Sequence, residues 1–252
     1  MNEPLVSVRG LRQQYGAHVA VANADVDLHA GEVIAIVGES GSGKTSLLRA
    51  LAGEVALERG SIRYAGRELT VATEGERRAL MRTHWGFVRQ FPHEGLRMHV
   101  SAGANVAERL LDAGNRNYAA IRGEVARWLD EVEIGAELID RMPATFSGGM
   151  LQRLQLARVL VTHPAVVLMD EPTAGLDVSV QARLLDLIRK LVASFRLSVI
   201  FVTHDLGVAR LLADRVLVMR TGEIIETGLA DQVLDDPQHP YAQLLVSAAL
   251  IP

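Results

Sequence analysis

GESGSGKTS, residues 38–46, sets glycines and serines ahead of one lysine and one threonine. The run before it, Val33-Ile34-Ala35-Ile36-Val37, is uncharged and largely β-branched. The run after it, Leu47-Leu48-Arg49-Ala50-Leu51-Ala52, has the composition of a helix. The glycine-rich turn therefore lies where a buried strand hands over to a helix.

Gly38 to Thr45 fits the spacing G-x-x-x-x-G-K-[ST] of a phosphate loop. A polyphosphate needs many N–H donors converging on it, and side chains carrying a Cβ would block the approach. Glycines permit both the dihedral angles and the contact. The helix that starts after Gly43 adds its unpaired N–H groups and its positive end. Gly38, Glu39, Ser40, Gly41, Ser42, Gly43, Lys44, Thr45 and Ser46 form the expected cradle. Lys44 is placed to reach the β- and γ-phosphates, and the Thr45 hydroxyl to ligate Mg²⁺.

Working outward, buried strands are expected at 165–169, 197–202 and 216–219, alternating with helices at about 179–194 and 205–213. That alternation predicts an α/β fold with a mostly parallel sheet covered on both faces. Leu5-Val6-Ser7-Val8 and Val26-Asp27-Leu28-His29 alternate and read as strands with one exposed face, and Gly60–Tyr64 as another strand. Glu74 to Thr83 reads as a surface helix, followed by strand character at 85–90. From about 91 to 162 helical spacing takes over, as in Val125, Trp128, Leu129 and Val132, and predicts an inserted α-helical subdomain. Thr221-Gly222-Glu223 reads as a tight turn into Ile224-Ile225-Glu226, giving an antiparallel hairpin at the sheet edge. A short helical tail is expected over about 229–252, with residues 1–252 forming a single domain.

Four further features carry chemistry. The strand Val166-Val167-Leu168-Met169 ends in Asp170 and Glu171. Asp170 is placed to hold Mg²⁺ through water, and Glu171 to orient or deprotonate an attacking water. Phe146-Ser147-Gly148-Gly149-Met150 opens a helix and makes a second phosphate-binding helix end, although Ser-Gly-Gly also serves as a plain cap. Gln90 closes a strand where its amide could touch the metal or the water. His204, in Thr203-His204-Asp205, could contact the γ-phosphate.

Composition bounds the rest. The chain has 252 residues, a formal net charge of −4 and no cysteine. Disulfides, thiolate metal sites and iron–sulfur clusters are excluded. The mild acidity, with no basic block longer than two residues, argues against a nucleic-acid surface. Met1-Asn2-Glu3-Pro4 shows no signal peptide and no apolar run is long enough to span a bilayer, so a soluble, cytoplasmic protein is expected. His93 and His99 lie near one another without a third ligand, and read as surface residues.

The order of these motifs, phosphate loop, Gln90, Ser-Gly-Gly, Asp170-Glu171, Asp177, His204, resembles the ATP-binding-cassette ATPases over nearly the whole chain. The resemblance implies a phosphate-loop NTPase fold of that type, with an N-terminal antiparallel β-subdomain beside the parallel core. It implies a Mg²⁺-dependent ATPase working as a homodimer, two cassettes packing head to tail around two ATP molecules. Phe146, Ser147, Gly148, Gly149 and Met150 of one copy would then close over the ATP on the other copy's phosphate loop. Asp177, in Thr173-Ala174-Gly175-Leu176-Asp177, would link the sites across the dimer, and Tyr15 would lie against the adenine, a surface tyrosine being the plain alternative. The signature usually begins with Leu and ends with Gln. Phe146 keeps an apolar anchor there, and Met150 removes a polar contact.

The tail Asp236-Pro237-Gln238-His239-Pro240-Tyr241 resembles the ends of dipeptide and oligopeptide importer ATPases. The stretches Gln90–Arg97, Val100–Leu110, Phe146–Met150, Trp128–Ile134 and Gly175–Leu187 look like the ATP-binding subunit of the carbon–phosphorus lyase system for phosphonates. That likeness implies docking on soluble lyase core subunits. The alternative is an importer motor docked on membrane permease subunits.

Overall fold

The computed structural model describes residues 3–249. Met1 and Asn2 at the start of the N-terminal reading, Leu250 to Pro252 at the end of the tail, and the side chains of Arg78, Arg82 and Ala249 lie outside the described residues. In chain order the elements are β1 (Val6–Tyr15), β2 (His18–Leu28), β3 (Val33–Val37), α1 (Lys44–Leu51), β4 (Arg59–Tyr64), β5 (Arg67–Glu68), α2 (Glu74–Thr83) and β6 (Trp85–Val88). There follow α3 (Pro92–Gly95), α4 (Ala102–Asp112), α5 (Tyr118–Glu131), α6 (Gly148–Leu160), β7 (Val166–Asp170), α7 (Val178–Phe195) and β8 (Ser198–Thr203). The chain closes with α8 (Leu206–Leu212), β9 (Arg215–Arg220), β10 (Glu223–Leu229), α9 (Ala230–Asp235) and α10 (Pro240–Ala249). No helix among the described residues is long and apolar enough to cross a membrane.

The chain forms two compact units. One holds the residues up to Arg78 and those from Arg196 onward, the other Ala79–Phe195. In the first unit the strands run in the order β5-β4-β1-β2-β10-β9-β3-β8. β3 is wholly buried and pairs in parallel with β8 on one side and β9 on the other. Two-sided burial is why β3 reads as an unbroken apolar run rather than an alternating one. β1, β2, β4 and β5 pair antiparallel in the order β5-β4-β1-β2, the N-terminal antiparallel subdomain that the resemblance implies.

Two expectations change. β1 and β2 extend far beyond the short strands expected at 5–8 and 26–29. Register shifts between Val8 and Leu11, Leu11 and Gln13, and Gln13 and Gln14 interrupt the period of two that would have marked them. The Thr221-Gly222 turn does make an antiparallel hairpin, with Glu223 opposite Arg220, but not at an edge. β10 also pairs in parallel with β2, Glu223 opposite Asn23, so it lies inside the sheet.

In the second unit β6 and β7 pair in parallel, and every element between Pro92 and Leu160 is helical. Its core is built on Trp85 and Trp128, both almost fully buried. The Trp128 ring stacks on Phe195 at 5.0 Å, and its Nε1–H donates to the Glu124 carboxylate at 3.0 Å, so the polar edge of the indole is satisfied. Asn105 of α4, buried, donates through Nδ2 to the carbonyls of Arg97 (3.0 Å) and Val100 (2.9 Å), while its Oδ1 accepts the Arg97 N–H (2.8 Å). One amide thereby satisfies the backbone of the loop that leads into α4.

Candidate functional site

The candidate residues are divided between the two units. In the first, β3 runs straight into the glycine turn and α1. Gly43 precedes α1 with φ +104°, no side chain caps the helix, and no acidic residue occupies its first turn. The positive end of α1 is thus electrostatically suited to an anion. The Lys44 ammonium is held over the loop, donating to the carbonyls of Gly38 and Glu39, both at 2.8 Å, and to Ser42 Oγ at 3.3 Å.

The glycines divide in their reasons. Gly38 lies at φ +150°, and a Cβ there would run into the Met219 carbonyl of β9. A Cβ on Gly43 would run into the Ala20 carbonyl of β2. Gly41 alone of the three has open space around it. The sequence reading ascribed all three to the dihedral angles and close approach that a phosphate site needs. At Gly38 and Gly43 the protein's own strands already demand glycine. The β9–β10 turn braces the loop further, the Gly222 N–H donating to the Ser42 carbonyl at 2.9 Å.

Val37 is paired with Thr203, so His204 emerges from β8 alongside the start of the phosphate loop. Asp205 follows as the cap of α8, its Oδ1 accepting the N–H groups of Gly207 (2.8 Å) and Val208 (3.2 Å). This fixes where His204 leaves the strand. Tyr15 is 42% exposed at the tip of the β1–β2 hairpin, opposite His18, which is two residues before the Ala20 that abuts Gly43. The structure thus gathers Tyr15, the loop and His204 on one end of the first unit.

In the second unit β7 ends in Asp170, only 3% exposed, and the next residue, Glu171, sits at φ +40°. A non-glycine residue in the left-handed region carries local strain of roughly 1–3 kcal/mol, which tends to be retained where function needs the geometry. Val88 pairs with Met169, so Gln90, two residues on, leaves β6 at the same end as Asp170 and Glu171. Two glutamines not singled out from the sequence hold that segment. Gln155 accepts the Arg89 N–H at 2.7 Å and donates to the Arg89 carbonyl at 3.0 Å. Gln152 donates to the Gln90 carbonyl at 2.9 Å, and Gln155 donates to Gln152 at 3.0 Å. Both are 1% exposed, among the buried leucines of α6. The available signal was two glutamines three apart in Leu151-Gln152-Arg153-Leu154-Gln155-Leu156.

Ser147 caps α6, its Oγ accepting the Met150 N–H at 3.4 Å. Ser147 and Gly148 are exposed, and Phe146 and Met150 half-buried. Gly149 is buried, where a Cβ would stand 2.5 Å from Val180 Cγ1. The signature is therefore packed against the start of α7. The Asp177 carboxylate accepts the Val180 N–H (3.1 Å) and the Ser179 hydroxyl (2.9 Å) at that start. The Val180 N–H, then the Ser179 hydroxyl, hold its carboxyl below the usual carboxylate range. His93 stacks on Phe91 at 5.7 Å. Among the described residues no group of three or more His, Asp or Glu is arranged to hold a metal ion.

The family described as ABC transporter matches residues 21–174. The chain is 58% identical over 250 residues, 99% of both chains, to PhnK of Escherichia coli (strain K12), a protein named for phosphonates utilization and ATP binding. It is 39% identical over 240 residues, 95% of this chain and 74% of the relative, to the di/tripeptide transport ATP-binding protein DppF of Pseudomonas aeruginosa (strain UCBPP-PA14). Among solved structures it superposes with TM-score 0.80 and 26% identity, covering 89% of this chain and 98% of the other, on the ATP-binding cassette MJ0796, a dimer in a post-hydrolysis state bound to ADP and Pi.

Proposed function

The chain belongs to the ABC transporter family and is an ATP-hydrolysing cassette, and from that premise we propose that it is the ATPase subunit of a carbon–phosphorus lyase complex. It dimerises around two ATP molecules in the cytoplasm, docks on soluble lyase core subunits, and uses the closing and opening of the pair to change the conformation of that core during phosphonate breakdown. The observation that carries this reading is the 58% identity, over 99% of both chains, with a protein named for phosphonates utilization. The 39% identity with a di/tripeptide transport protein supports the second reading, a motor on membrane permeases.

In this reading the Lys44 ammonium, the N–H groups of residues 41–46 and the α1 positive end meet the phosphate oxygens and oppose the charge that develops on them. Tyr15 lies against the base. The Glu171 carboxylate positions the attacking water and takes its proton, and His204 holds the γ-phosphate. A general base of this kind contributes about 10²–10⁴-fold. The Thr45 hydroxyl, the Asp170 carboxylate and the Gln90 amide oxygen are hard oxygen donors, the chemistry that suits Mg²⁺ arriving with a nucleotide. When bound, Mg²⁺ would neutralise phosphate charge. Phe146, Ser147, Gly148, Gly149 and Met150 cover the nucleotide of the other copy, and Asp177 joins the two sites. A Glu171→Gln variant is expected to retain ATP and accumulate as a closed dimer in light scattering. Turnover at the parent rate refutes the role of Glu171. Purification from cells without detergent separates the two functional readings: lyase subunits in the eluate support the first, and permeases the second.

A further inference from the structure

One motif of the tail has no part in that scheme. Tyr241 opens α10 and is 5% exposed, yet its hydroxyl reaches the phosphate loop and accepts the Glu39 N–H at 3.1 Å. The peptide concerned joins Gly38 to Glu39. Its N–H points to Tyr241, and its carbonyl, Gly38 O, accepts the Lys44 ammonium at 2.8 Å. A trans peptide directs these two groups to opposite sides. The plane of the peptide is thus held on one side by the tyrosine and on the other by the lysine. Gly38, at φ +150°, is the residue least able to hold that plane through its own dihedral preferences.

The tyrosine is itself held. The Glu226 carboxylate accepts the N–H groups of Gln238 (2.8 Å) and His239 (2.9 Å), and His239 Nδ1 accepts the Tyr241 N–H at 3.0 Å. The Arg220 guanidinium lies 4.7 Å from the centre of the Tyr241 ring. A phenylalanine would fill the same space and meet the same guanidinium. The hydroxyl is the atom that reaches the loop.

We infer that Tyr241 is a positioning residue of the nucleotide site, fixing the peptide through which the phosphate loop carries Lys44. The inference rests on the reading of Lys44 as a phosphate-binding group. In the full chain, Tyr241→Phe keeps the ring and removes the bond. One hydrogen bond corresponds to about a 2- to 13-fold change in an equilibrium constant. Mg-ATP binding by calorimetry is expected to weaken about 3- to 10-fold, with KM rising in step and kcat changing less than about twofold. Amide exchange at Glu39 quickens, while that of α1 is unchanged. Tyr241→Leu, which also removes the ring contact, weakens binding at least as much. Parent-like affinity and Glu39 exchange in Tyr241→Phe overturn the inference and leave Tyr241 as packing. A parent chain that binds no nucleotide, or a Lys44→Ala chain that binds undiminished, overturns the underlying reading instead.

Discussion

Gln155→Leu isolates the energetic role of the buried glutamine pair, because leucine keeps most of the volume and removes only the amide. Three hydrogen bonds are lost: from the Arg89 N–H at 2.7 Å, to the Arg89 carbonyl at 3.0 Å and to Gln152 at 3.0 Å. At about 1 kcal/mol each the expected loss is about 3 kcal/mol, since the orphaned groups sit where water replaces few of the bonds. With a urea slope of about 3 kcal/mol per molar for a protein of this size, the midpoint falls by about 1 M. The assay is intrinsic fluorescence during urea unfolding. Both tryptophans of the sequence, Trp85 and Trp128, are buried in the second unit, so the signal reads the unit that holds the substitution. Gln152→Leu loses its bond to Gln90 and the shared bond to Gln155, about 2 kcal/mol. The double variant is then less destabilised than the sum by about 1 kcal/mol, because the shared bond is counted twice. A loss under about 1 kcal/mol for Gln155→Leu, or strict additivity, refutes the reasoning.

Gly38→Ala places a Cβ against the Met219 carbonyl in a backbone region that alanine avoids. A loss of at least about 3 kcal/mol and of measurable ATP binding is expected, by thermal unfolding and calorimetry. Ser147→Ala removes the cap of α6 and lowers stability by about 1 kcal/mol; if Ser147 also touches nucleotide, ATP turnover falls further than that loss explains. Asp177 is held below its ordinary value by the Val180 N–H and the Ser179 hydroxyl. A depressed folded pKa contributes stability above the unfolded value of about 3.9, and that contribution is lost as pH falls through the folded value. Asp177→Asn is therefore expected to flatten the acid limb of the stability profile and to leave its slope near neutrality unchanged, as urea midpoints across pH would show.

The phosphate loop was legible because its signal is local: a glycine spacing, one lysine, and apolar runs on both sides that fix strand and helix. The helical stretch over 92–160 was legible for the same reason, its period spanning several turns. What escaped notice depends on distant partners. β10 lies inside its sheet because Glu223 meets Asn23, a pairing that no pattern near residue 223 announces. The bulges of β1 erase the alternation at the residues where the strand is longest. Gln152, Gln155 and Tyr241 were hidden because each acts on backbone, and backbone atoms leave no trace in the identity of the residue that carries them. At Gly38 and Gly43 the local motif marks the positive φ angles, and the close approach of β9 and β2, which also demands glycine there, leaves no local signal.

That last feature bears on inheritance. Ala20 and Gly222 meet the loop through main-chain atoms, and Met219 through its carbonyl at Gly38 and its side-chain Cε at Gly43, on strands and a turn distant from the loop along the chain. A lesion that shifts any of those strands sideways would silence the ATPase as surely as one in the lysine. Variants with the phenotype of a lost catalytic residue should therefore be sought in β2 and the β9–β10 turn as well as in the GESGSGKTS stretch.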